Sequence, residues 1–132
     1  MEWPADLGET GWRLLSAEDR HAEAPDAFWI PSREERENLR YGNGAKLLFD
    51  VADQAEGVLV AQVERMWVVV TEVTAAGYVG VLANIPRSSH SAVQRGSRIA
   101  FAAEHVCDID EGPPPAELEK LLQEADHFAN PS

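Results

Sequence analysis

Four histidines, one cysteine and a serine-rich stretch hold most of the reactive side chains of this sequence. His105, Cys107, Asp108 and Asp110 are ligand types that a zinc ion or an activated thiol would use. An extended segment sends His105 and Cys107 to one face and Asp108 and Asp110 to the other, which divides the set. Cys107 therefore reads as a small buried apolar side chain. Ser88, Ser89, His90 and Ser91 put hydroxyls beside an imidazole. Neighbours along one loop do not make a nucleophile with an oriented base, and no third group is evident. The chain has no phosphate-cradling Gly loop, G-x-S-x-G elbow or paired-cysteine metal spacing. The expectation is no catalytic residue, no metal and no cofactor. Glu64, Trp67, Tyr78 and Asn84 stand as the candidate binding residues: packing does not demand the first, second and fourth, and Tyr78 lies on the same hairpin.

That hairpin, Glu64 to Pro86, is the densest apolar stretch and the centre around which the chain is organised. Met66, Val68 and Val70 point one way, and Trp67, Val69, Thr71 and Val73 the other. A strand apolar on both faces belongs mid-sheet, or in a small barrel with helices over it. The returning strand from Tyr78 to Ala83 carries Gly80, which marks a close approach of another backbone or room for an aromatic ring. Ahead of the hairpin, Ala45 to Val51 and Val58 to Val63 alternate as strands. Residues 53 to 57 read as their turn, and Glu64–Arg65 as a bend or bulge between the second strand and the hairpin. Arg98 to Ile109 reads as a final strand region with Ile99 and Phe101 inward.

Helices are expected before and after this sheet. Residues 1 to 11 read as a loosely ordered segment. Ser16 and Asp19 stand at N-cap and N3 of a helix over Ala17–Ala24 that Pro25 ends. Ser32 and Glu35 form a capping box for a second helix that stops before Gly42, its charged run from Arg33 to Glu37 a solvated face. Pro115 suits the first position of a third helix, to residue 129. Leu118, Leu121, Leu122, Ala125 and Phe128 make it the clearest amphipathic stretch; it packs on the sheet or docks on a partner.

A chain of 132 residues is expected to be one domain that needs no disulfide to fold. Its fold class reads as α+β: a curved antiparallel sheet or small β-barrel of about five strands, two short N-terminal helices and one C-terminal amphipathic helix. The 23 acidic against 11 basic residues, net charge −12, argue against nucleic acid, whose phosphates need clustered cations. Acidity favours either solubility alone or steering toward a basic protein. No apolar run suits a membrane span, the acidic N-terminus lacks a secretory pattern, and a single cysteine suits a reducing compartment, so the expected location is cytoplasmic.

FWIPSREERENLRYGNGAKLLF, ERMWVVVTEV, YVGVLANIP and VQRGSRIAFAAEHVCDI together resemble the bacterial family called domain of unknown function 2314. Glu64, Met66, Trp67 and Val68 match its Glu-x-Met-Trp-Val strand; Gly80, Leu82, Asn84 and Pro86 match its return strand; Gly96, Phe101 and Ile109 match its last. The similarity covers roughly residues 28–110. Ser97 and Asn43 replace aspartates usual in the family, and both residue types can make the same turn hydrogen bonds. The resemblance implies a compact β-rich fold and no established activity. From residues and resemblance together, the expected function is a non-catalytic protein-binding module of immunity or accessory type. The alternative is a small-molecule site or an enzyme near Trp67, Tyr78, Asn84 and the Ser88–Ser91 loop.

Overall fold

Period-two alternation from Ala45 onward builds the central strand, and the rest of the sheet assembles on its two edges. A computed structural model describes residues 11–88 and 92–129; residues 1–10, Ser89, His90, Ser91 and 130–132 lie outside it, as do the side chains of Gln54, Ala55, His127, Phe128 and Ala129. The elements in order are β1 (Trp12–Leu14), α1 (Ala17–Glu23), α2 (Arg33–Glu37), β2 (Gly44–Ala55), β3 (Val58–Val73), β4 (Tyr78–Leu82), β5 (Arg98–Phe101), a 3-10 turn (Ala103–His105), β6 (Val106–Asp110) and α3 (Pro115–Ala129). The described strands form one antiparallel sheet in the order β1-β2-β3-β4-β5, with β6 sharing the free edge of β2 with β1. The fold is α+β, its sheet curled into a half-barrel.

The inner face collects Leu47, Phe49, Val51, Met66, Val68, Val70, Leu82, Ile99, Phe101 and Val106, all buried. Outside, α3 lays Leu121 and Ala125 on Val69 and Val81 with Leu118 and Leu122 partly buried beside them, so the described part of its apolar stripe packs on its own sheet. A second outer cluster joins Ala17, Leu48 and Cys107 to Leu15, Phe28 and Ile30. Both faces of β3 are apolar because one is the core and the other lies under α3. Gly80 admits no side chain: a Cβ there would stand 2.6 Å from the Val69 carbonyl oxygen and 2.4 Å from a Val68 methyl. Among the described residues no helix is long and apolar enough to cross a membrane.

Several boundaries differ from the sequence reading, each for a local reason. The turn after β2 is the two-residue Glu56–Gly57, not 53–57; both residues have positive φ (51° and 80°), the I′ geometry that lets pairing run out to Ala55 and Val58. β3 passes through Glu64 and Arg65 without interruption, and its irregularity lies at Thr71, between the pairs Val70–Gly80 and Glu72–Val79. The expected last strand region is two strands divided by the 3-10 turn, and β5 and β6 lie at different edges of the sheet.

The two expected N-terminal helices follow a short strand, β1. The second ends at Glu37 rather than before Gly42. Leu39 is drawn into the core, its amide donating to the Tyr78 hydroxyl at 3.2 Å. The charged run in α2 is not all solvated either. Arg36 is buried, donating to the carbonyls of Pro31 (3.0 Å) and Ala103 (2.8 Å) and to Glu18 (2.6 Å). The Ser32–Glu35 capping box forms as expected. Asn43 and Ser97 make turn bonds, accepting from the amides of Arg40 (2.7 Å) and Gln94 (3.0 Å).

The 3-10 turn also sets the state of His105. Its Nδ1 accepts from the Ala102 amide at 2.9 Å, a bond only an unprotonated Nδ1 can make. Burial pushes the imidazole below its ordinary value, with Glu104 and Glu18 opposing. A histidine depressed in the folded state is held neutral there, so the unfolded chain takes up the proton first. Its contribution is present above the unfolded value near about 6.5 and is lost as pH falls below it. The urea midpoint of the wild type should fall more steeply between pH 7 and pH 5 than that of His105→Gln; equal slopes would show that His105 does not contribute.

Candidate functional site

The four candidates from the sequence are not gathered at one place. Glu64 lies on the inner face, paired in register with Phe49, and is buried. It accepts from the amides of Arg87 (2.7 Å) and Ser88 (3.5 Å), and the Arg87 guanidinium stands 3.5 Å away. The Ser88 hydroxyl donates to the Ala52 carbonyl. A polar recess of about 220 Å³ opens here between Asp53, Gln62, Glu64, Arg87 and Ser88. Glu64 thus holds the Arg87–Ser88 backbone.

Asn84 and Trp67 adjoin. The Asn84 side-chain oxygen accepts from the Trp67 amide at 2.6 Å, and the Ala83 amide donates to the Trp67 carbonyl, which carries the β3–β4 ladder past the end of β4. The indole of Trp67 is half-buried on the outer face, the Lys46 ammonium 5.6 Å from its ring centre. Tyr78 is apart from the others. Its ring packs in the core at 5.3 Å from Phe101, and its hydroxyl donates to the Arg36 carbonyl at 2.8 Å.

A different place gathers more chemistry. Between the Phe28–Trp29 segment and the outer face of β2, β3 and β6 lies a groove of about 240 Å³ lined by Ala27, Phe28, Trp29, Lys46, Arg65, Cys107 and Asp108. The register explains its floor: Lys46 pairs with Trp67 and Leu48 with Arg65, so Lys46 and Arg65 share the outer face of neighbouring strands. On the other edge Lys46 pairs with Asp108 and Leu47 with Val106, which leaves Cys107 as the extra residue of a bulge. The bulge brings Cys107 and Asp108 into the same groove, where simple alternation had separated them. His105 and Asp110 stay outside this lining. Among the described residues no group of three or more His, Cys, Asp or Glu is placed to hold a metal.

The wall opposite is set by local structure. Pro25 follows α1, the amides of Ala27 and Phe28 both donate to the Ala24 carbonyl, and His21 Nδ1 donates to the Phe28 carbonyl at 2.7 Å. Phe28 thereby meets the Arg65 guanidinium, 5.3 Å from its ring centre, while Trp29 stands 68% exposed. The Cys107 thiol is pushed up by burial, with Arg65 and Lys46 pulling it down and Asp108 adding to the rise. A thiol held protonated is a floor for the groove, not a nucleophile. The sequence signal for this place was two basic residues within strands of a strongly acidic chain. The β2–β3 register and the bulge, which bring them together, were not legible there.

Comparison with protein-family models, with curated proteins and with solved structures finds no match to this chain.

Proposed function

We propose that the protein is a non-catalytic binding module of immunity or accessory type that recognises a basic protein through the acidic outer face of α3 and the segment leading into it. The observation that carries this reading is the burial of the α3 apolar stripe on Val69 and Val81. What α3 offers a partner is then its charged side. Residues 104–126 contain eight carboxylates and one base, Lys120. Glu124 and Asp126 are tied to Arg95 and Arg98, while Glu111, Glu117 and Glu119 are exposed and make no ion pair among the described residues. Such a surface raises encounter rates with an oppositely charged one and loses that advantage in salt.

The alternative of a small-molecule site or an enzyme near Trp67, Tyr78, Asn84 and the Ser88–Ser91 loop, of which residues 89–91 lie outside the described residues, has less support, because Tyr78 is in the core and Asn84 is engaged by the Trp67 amide. Bacterial origin and a cytoplasmic location belong to the same proposal; the free, buried Cys107 accords with a reducing compartment. The resemblance to the domain of unknown function 2314 accords with the β-rich fold. The experiment is capture from host lysate on the immobilised full chain. A basic protein retained at about 0.05 M salt and released at about 0.5 M, where screening lengths fall to a few Å, is expected. Recovery of no basic protein, or retention indifferent to salt, overturns the reading.

A further inference from the structure

The cations of this protein are distributed unevenly with respect to its carboxylates. Acidic residues outnumber basic ones 23 to 11, and Arg13, Arg33, Arg36, Arg87, Arg95 and Arg98 each have a carboxylate partner. Among the described residues Lys46 and Arg65 have none, although Lys46 is the register partner of Asp108. Arg20, Arg40 and Lys120 also make no ion pair among the described residues, but they stand singly on exposed helix or loop surface. Lys46 and Arg65 instead share one groove, each against an aromatic face: Trp67 for the ammonium, Phe28 for the guanidinium. An acidic chain that sets two cations, neither in an ion pair among the described residues, beside the single groove carboxylate of Asp108 retains a place of net positive charge with aromatic walls.

We propose that this groove binds a small aromatic anion: a carboxylate or phosphate held between Lys46 and Arg65, and a single flat ring laid against Phe28 and Trp29. Arg65 presents a planar fork of donors that suits either acid group, and Lys46 supplies a point charge. The groove, about 240 Å³, falls short of the roughly 300 Å³ at which drug-sized sites begin, so it takes one ring and its acid group rather than a dinucleotide. Cys107 closes the floor as an apolar surface, and exposed Trp29 gives the ring a face to stack on. Asp108 sets the polarity: it accepts from a hydroxyl or amine on the ligand and repels a second acid group at that end. This inference does not rest on the acidic-face reading, since none of the groove residues lies on α3.

The test titrates the full chain with benzoate and phenyl phosphate, following tryptophan fluorescence and the indole NMR signal of Trp29. Benzamidine, with the same ring and opposite charge, and inorganic phosphate, with the charge and no ring, are the comparisons. Benzoate and phenyl phosphate should bind, with Arg65→Gln and Lys46→Gln each weakening them about tenfold and Trp29→Ala also weakening them. Asp108→Asn should tighten them. Lys46 and Arg65 lie at the surface, so unchanged thermal midpoints will show that their variants fold. Three results would each overturn the proposal: benzamidine binding as well as benzoate, inorganic phosphate binding as well as phenyl phosphate, or wild-type affinity in both charge variants.

Discussion

Phe49→Ala should lower the unfolding free energy by about 3–5 kcal/mol, the range for truncating a buried aromatic residue. Phe49 is fully buried at the middle of β2, the strand that pairs with β1, β3 and β6. Its ring meets Trp12 at 5.8 Å, and its register partners are Leu14 on one side and Glu64 on the other. The cavity left by alanine would be walled by two hydrogen-bonded ladders, which limits collapse. It would also sit beside the buried Glu64 carboxylate, whose amide partners hold the Arg87–Ser88 backbone. The loss should therefore appear both as a lower urea midpoint and as faster amide exchange at Arg87 and Ser88. A change below about 1 kcal/mol would mean that the inner face is not the packed core described here.

The second large effect is expected at Arg36, which the sequence places in a charged helix and the fold buries. Arg36→Ala should cost about 2–4 kcal/mol, because it strands the Pro31 and Ala103 carbonyls as well as breaking the bond to Glu18. Most of that cost belongs to the carbonyls. The Glu18 side chain is 42% exposed and regains water, so Glu18→Gln should cost under about 1 kcal/mol. The two variants measured side by side in urea separate these contributions. Equal losses would show that the ion pair, not the carbonyl bonds, is what Arg36 supplies. Arg36 also links α1, α2 and the 3-10 turn before β6, so its removal should loosen the cover on the outer face while the β2–β3 ladder stays protected from exchange.

The sequence was informative wherever one residue type dictates local geometry. Ser32 and Glu35 announced a capping box, the period-two run at Ala45 announced β2, and the stripe from Leu118 to Ala125 announced a helix with one face to bury. It was silent where geometry depends on a distant partner. Arg36 has the spacing of a solvated helix residue, and only the carbonyls of Pro31 and Ala103 make its burial tolerable. The short second helix likewise follows from Tyr78, which takes the Leu39 amide from a strand 39 residues away. The candidate sites divide in the same way. Glu64 and Asn84 are polar residues in an apolar hairpin, and that much is visible in the chain. That each serves a backbone amide is a consequence of packing. The groove at Lys46 and Arg65 needed both a strand register and a one-residue bulge at Cys107, and a bulge leaves no mark on the alternation around it.

The central proposal is that α3, with Leu121 and Ala125 buried on its own sheet, presents its charge to a partner. The most direct measurement immobilises the wild type beside Glu111→Lys/Glu117→Lys/Glu119→Lys and compares what each retains from the same lysate at low salt. All three positions are exposed, Glu117 and Glu119 on α3 outside its buried cluster and Glu111 ahead of the helix, so the variant should fold as the wild type does. The account predicts a basic protein on the wild type and its loss from the variant, with both chains melting at the same temperature. The same protein retained equally by both, at matched stability, would contradict it.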